Sequence, residues 1–245
     1  RPRYEREVRK FTGASIDVLE LWQWGWDELD RITARMEVAA EKLYPGVTLS
    51  DVLVKIEHDE LYLVHGRDNI VKFLEDLTAR TTEEMRAHFT IPDSISQCDV
   101  KLAGEGSASA PYYQPPSEDL SRPGSTWLPT MGKDDFATWH LVSTWYHEAI
   151  PGHHLQIATT VINKDRLSRF QRTMGWTSGY GEGWALYAER LMDELGYFSD
   201  PGYELGFLSD QALRAARIVV DIGMHLGLTV PTSQKYRSEE HTSEL

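Results

Sequence analysis

The chain has 245 residues, a formal charge of −13 and a single cysteine, with 41% hydrophobic and 26% charged residues. The acid surplus argues against a nucleic-acid surface, which needs clustered Lys and Arg to neutralise phosphates. The lone Cys98 excludes an intramolecular disulfide framework and a cysteine-built zinc site. No apolar run approaches membrane-spanning length, so no transmembrane segment is expected.

Apolar residues recur at helical spacing from Ser15 to Glu41: Ile16, Leu19, Trp22, Trp26, Leu29, Ile32, Met36 and Ala40. They predict one long helix, which LYPGVTL breaks at Pro45-Gly46. LSDVLVKIEHD and the stretch from Arg67 to Phe89 read as two more helices, with cap-like signals at Ser50-Asp51 and Thr81-Thr82-Glu83-Glu84. His58, His65 and His88 lie there without partners at ligand spacing and read as scaffold. IPDSISQCDVKLA turns extended, and Cys98, with no adjacent histidine, reads as structural there. SASAPYYQPPSEDLSRPGSTWLPTM is loop with short extended pieces. Within it STWLP is expected to be an edge strand, where Pro129 is tolerable.

A long helix is predicted from Asp134 through DDFATWHLVSTWYHEA, with acids in its first turn. Another runs from near Gly181 to about Leu195, and a last from about Ser209 to His225 or beyond. RSEEHTSEL, residues 237–245, matches the translation of a sequencing-adapter oligonucleotide and is expected to be foreign to the fold, His241 included. Residues 1–236 are then expected to form one mainly α region with a small sheet, truncated at both ends.

YHEAIPGHH, residues 146–154, departs from the zinc-hydrolase pattern H-E-x-x-H, because Pro151 stands where the second histidine belongs. On an unbroken helix His153, six residues after His147, points about 120° away, and His154 lies about 10.5 Å along the axis. Pro151 cannot continue a regular helix, and Gly152 tolerates unusual backbone angles. Looping out two residues as a bulge brings His153 to the usual position of the second ligand, which favours it over His154. Glu182, on a second helix in GYGEGWALYAERL, supplies the expected carboxylate ligand. Glu189, on the same face two turns later, is placed either to orient a ligand imidazole or to face solvent.

HEAIPGHHLQ together with GYGEGWALYAERL resembles the bacterial family called domain of unknown function 885, over most of residues 50 to 230 and including PYYQPPSEDLSRPG and LRAARIVVDIGMH. Members of that family resemble gluzincin metallopeptidases, some of which carry glycine before the second histidine ligand. EGWA at Glu182 to Ala185 is similar to the segment that carries the glutamate ligand in membrane-alanyl-aminopeptidase relatives. The resemblance implies a gluzincin-like fold, one Zn2+ on His147, His153 and Glu182, Glu148 as general base, and a peptide substrate. It also implies that STWLP pairs with substrate backbone.

Given such a site, Arg214, Arg217, Asp221 and His225 share one helical face. Arg217, with Arg214 beside it, is expected to bind a substrate carboxylate, and His225 to stabilise an oxyanion; the plain alternative is a surface salt-bridge ladder. Tyr180, Tyr112 and Tyr113 are further phenol candidates for the oxyanion. His140 is expected to pack. A trypsin-type site is not expected, since no G-x-S-x-G occurs and no serine stands beside these histidines, nor is a phosphate-binding loop, since GEGSASAP lacks the lysine and following helix. A metal-dependent amide or ester hydrolase on non-peptide substrates, and a non-catalytic metal-binding scaffold, remain as alternatives. A bacterial cytoplasm and cell envelope are both open as locations.

Overall fold

The computed structural model describes residues 1–232 and Gln234. The expected foreign tail at 237–245, with His241, lies outside the described residues. A first helix, α1 (Pro2–Thr12), begins with proline in its first turn and ends at Gly13 in the left-handed region. It buries none of its residues, and the sequence periodicity gave no sign of it. Asp17 caps α2 (Val18–Leu43) by accepting from the amides of Leu19 and Glu20. The expected stripe of Trp26, Leu29, Ile32, Met36 and Ala40 is buried, whereas Ile16 and Leu19 are exposed.

Thr48, rather than Ser50-Asp51, caps α3 (Leu49–Ile56). Beyond it, α4 (Arg67–Met85) contains Thr81 and Thr82 near its C-terminal end, not at a start, and their hydroxyls donate to the carbonyls of Leu77 and Thr78.

Between α3 and α4 lies β1 (Leu63–His65), which pairs antiparallel with β5 (Asp135–Ala137). The helix expected from Asp134 therefore begins only at Leu141, as α5 (Leu141–Glu148). The amide and hydroxyl of Thr138 both donate to the Tyr62 carbonyl, holding DFA extended. This long-range pairing outweighs the acidic helix-start signal. His65, expected to lack partners, sits between Glu60 and Asp135 on the surface.

A second sheet places β4 (Gly124–Pro129) between β2 (Cys98–Ala103), which is parallel to it, and β3 (Tyr112–Gln114), which is antiparallel. STWLP is thus a central strand, not an edge. Both sides of Ser125–Trp127 carry ladder partners, so the expected pairing with substrate backbone has no free edge along those residues. Pro129 is tolerated because it occupies the last position of the strand. Cys98 keeps its structural reading: its thiol contacts the Thr126 hydroxyl, and burial pushes it up to about 12.

After α5 the chain turns into α6 (His153–Ile162), a short α7 (Arg169–Thr173), α8 (Ser178–Glu194) and α9 (Pro201–Leu226). The last helix starts well before Ser209 because Asp200 caps it and Pro201 fits its first turn. The core joins α2, α4, α5 and α9, with Trp145, Ile32, Leu74, Leu205 and Leu208 almost wholly buried. Arg35 of α2 ties Asp193 of α8 to Glu204 of α9, at 2.8 Å each. No helix among the described residues is long and apolar enough to cross a membrane.

Candidate metal centre

The interrupted motif is built by the break between α5 and α6. The Gly152 amide donates to the Tyr146 carbonyl at 3.0 Å, closing over two more residues than a regular helical turn. The His154 amide then donates to the Ala149 carbonyl at 3.0 Å and starts the next turn. Two residues are thereby looped out, as the spacing predicts, and the Ile150–Pro151 peptide within the loop is cis. A Cβ on Gly152 would stand 1.9 Å from the His147 carbonyl oxygen, so the chain can pass so close only as glycine. Trp184 of α8 donates to the Pro151 carbonyl at 2.9 Å, fixing the loop against the helix that carries Glu182.

This turn brings His147, His153 and Glu182 together, with one potential ligand atom of each lying within 4.8 Å of the others. The Glu182 Oε2 atom is 3.3 Å from His147 Nε2 and 3.6 Å from His153 Nε2. Tetrahedral zinc bonded at roughly 2.0–2.2 Å separates its ligand atoms by about 3.3–3.6 Å, and two imidazoles with a carboxylate are ordinary zinc donors. Both Glu182 separations match that spacing, and the three donors suit such an ion in chemistry. The two imidazoles raise no obstacle from solvent, being both buried, while Glu182 is partly open.

Glu189, wholly buried on α8, stands behind His147 and settles the two alternatives for it. Its Oε1 accepts from His147 Nδ1 at 2.6 Å, which leaves Nε2 of the neutral ring free to face Glu182. Burial pulls the His147 imidazole down, but Glu182 and Glu189 outweigh it and hold it at about 9. A cation and a proton thus compete for the same nitrogen. Glu182 is held far below the ordinary carboxylate range by His147 and His153.

Glu148 lines a cavity of about 300 Å3 together with His153, Glu182, Tyr112, Tyr113 and Trp176. Burial raises its carboxyl, while His147 and His153 oppose the shift. A desolvated carboxyl beside a cation site is suited to accept a proton from water.

His154 is not the second ligand. Its Nε2 donates to the Ile95 carbonyl at 2.8 Å, so its Nδ1 accepts from the Tyr113 hydroxyl at 2.9 Å. Both nitrogens are used away from the cluster, and burial lowers the ring to about 4. Gly124 makes room for this pair, since a Cβ there would lie 2.5 Å from the Tyr113 hydroxyl oxygen.

The remaining expected residues divide. Tyr112 and Tyr113 do line the cavity, with Tyr112 stacked on Trp127. Tyr180 does not: its side chain is 56% exposed, and its carbonyl accepts from Gln156. Arg214 turns inward to Glu189 at 2.8 Å, rather than toward a substrate. Arg217 and His225 line a separate, open cavity of about 880 Å3 between α1 and α9. There His225 stacks on Tyr4 and bonds the Asp221 carbonyl, so neither residue reaches the cation site. The helical face on which they were aligned turns away from the site beyond Arg214. His140 is half-buried against Trp139 and takes no part in the cluster, as expected of packing.

Sequence reasoning missed Ser143, Gln211, Trp176 and Trp184. Ser143 lies four residues before His147, one turn away, and was open to detection; Gln211 and the tryptophans depend on contacts between distant helices.

The family model described as a bacterial protein of unknown function, DUF885, matches residues 1–243. None of the curated proteins matches the chain. Among solved structures, a "putative lipoprotein" from Colwellia psychrerythraea is 28% identical with a TM-score of 0.82, over 94% of this chain and 40% of that one. A "putative lipoprotein of unknown function" from Shewanella oneidensis is 20% identical with a TM-score of 0.71, over 94% of this chain and 44% of its own, and shares the fold. The chain therefore spans less than half the length of these solved structures. By the match over nearly its whole length, the chain belongs to the bacterial DUF885 family.

Proposed function

We propose that the chain carries the centre of a zinc-dependent hydrolase of gluzincin type, acting on peptide bonds of short peptides. The observation that supports this reading most is the convergence of His147, His153 and Glu182 within 4.8 Å, in a cavity that Glu148 also lines. A bound zinc ion would supply Lewis acidity and a water of lowered pKa. Glu148 takes a proton from water and delivers it to the leaving amine. Glu189 keeps the His147 proton on Nδ1. The aromatic walls formed by Tyr112, Tyr113 and Trp176 hold apolar parts of a substrate. The description of the Colwellia relative as a "putative lipoprotein" supports a place in the cell envelope.

The test joins metal analysis to hydrolysis of a mixed peptide library. Glu148→Gln is expected to retain one equivalent of zinc and to lose about 100–10,000-fold in hydrolysis. His153→Ala is expected to lose the metal. Hydrolysis that survives Glu148→Gln at the unchanged rate rejects the mechanism, and a library left intact by the metal-loaded chain rejects the peptidase reading in favour of a non-peptide amide or ester, or of a metal-binding scaffold.

A further inference from the structure

Glu189 is the most heavily engaged carboxylate beside the metal cluster. Its Oε1 meets His147 Nδ1, while its Oε2 accepts from Ser143 Oγ at 3.1 Å, Gln211 Nε2 at 3.1 Å and Arg214 Nη1 at 2.8 Å. A carboxylate with no exposed surface is costly unless its lone pairs are filled and its charge is matched. Arg214 is the cation bonded to it at that second oxygen. Without Arg214 the charge of Glu189 has no cation opposite His147, and the side chain gains by rotating toward other donors. That rotation loosens the His147 ring.

We propose that Arg214 is a positioning residue for the metal: from α9, through Glu189, it sets the orientation of His147 and so the affinity for zinc, with Gln211 and Ser143 in support. The proposal rests on the zinc reading above. It joins three helices through one polar chain, so that the docking of α9 against α8 and α5 is coupled to metal retention. It also gives the first arginine of LRAARIVVDIGMH a role on the protein side of the metal rather than the substrate side. Only Nη1 makes the contact, so one directed donor is what the site requires. A lysine can therefore replace it in part, which would not hold for a bidentate arginine.

The experiment measures zinc affinity of the full chain by competition with a chromophoric chelator, with thermal unfolding of the metal-free protein in parallel. Arg214→Met is expected to weaken zinc about 10–100-fold, and Arg214→Lys to recover most of that loss. In the Glu189→Gln background Arg214→Met is expected to add no further weakening, because the carboxylate it acts through is gone. Gln211→Ala gives a smaller loss in the same direction and serves if Arg214→Met fails to fold. His147→Ala is the control for the site itself. Zinc that binds and is lost with His147→Ala, but is indifferent to Arg214→Met and Gln211→Ala, overturns the proposal and leaves the metal site standing. Full additivity of Arg214→Met with Glu189→Gln also overturns it. Zinc that survives His147→Ala overturns the site itself.

Discussion

Two regions of the molecule hold nearly the same set of residue types. At the junction of α5, α6 and α8, His153, Glu148 and Glu182 line a cavity of about 300 Å3, and His147 closes on His153 and Glu182 beside it. Between α1 and α9, Tyr4, Arg217, Asp221 and His225 line a larger one of about 880 Å3. The difference lies in what stands behind the side chains. His147 is held by a wholly buried Glu189, which is itself held by Ser143, Gln211 and Arg214. His225 has a carbonyl one turn back and a tyrosine ring, both at the surface. Titratable groups become a site when buried partners fix their direction; volume and composition alone do not suffice.

The largest break in this comparison comes from the backbone. Gly152→Ala places a methyl group against the His147 carbonyl. It should destabilise the fold by about 3 kcal/mol and abolish zinc binding, read by unfolding and metal content. Next is His154→Ala, which leaves the Tyr113 hydroxyl and the Ile95 carbonyl without their partner. We expect about 2 kcal/mol of lost stability with zinc still bound, since this ring is no ligand. Zinc loss at unchanged stability would instead return His154 to the coordination sphere.

That histidine pair shows how far the sequence could be read. YHEAIPGHH held the two-residue insertion, and the restoring bulge follows from Pro151 and Gly152 alone, because local backbone chemistry decides it. Glu182 and Glu189 were legible as one helical face seven residues apart. Arg214 was found but assigned the wrong partner: a helical face gives its own members, not what packs against them. DFA was read as helix because its pairing partner, β1, lies some seventy residues earlier. STWLP was placed at an edge because nothing local reveals that YYQ covers its other side. These three misses concern contacts between separate segments, which periodicity does not encode, whereas the early start of α9 rests on a local cap at Asp200-Pro201.

The buried network also titrates. Burial raises Asp210, beside Thr144 and close to Glu189, to about 7. The folded chain thus retains a proton that the unfolded chain, with an ordinary value of about 3.9, has released. Stability is therefore fullest below about pH 4 for this group and falls as pH rises toward about 7, by about 1 kcal/mol per pH unit at the steepest. Asp210→Asn should flatten that slope in unfolding measured from pH 4 to 8. An unchanged slope would show Asp210 to be charged in the fold.

The smallest effect belongs to the α1–α9 cavity. His225 is exposed, its ring stacked on Tyr4 and its Nδ1 donating to the Asp221 carbonyl of its own helix. Those contacts lie at the surface, so His225→Ala should shift stability by about 0.5 kcal/mol or less. It should leave zinc affinity and peptide hydrolysis unchanged, because its network does not touch Glu189. Arg214→Met, three turns earlier on the same helix, is the matched contrast. If His225→Ala lowered the rate of hydrolysis while zinc stayed bound, the larger cavity would join the reaction, and the distinction between a framed and an unframed cluster would fail at this point.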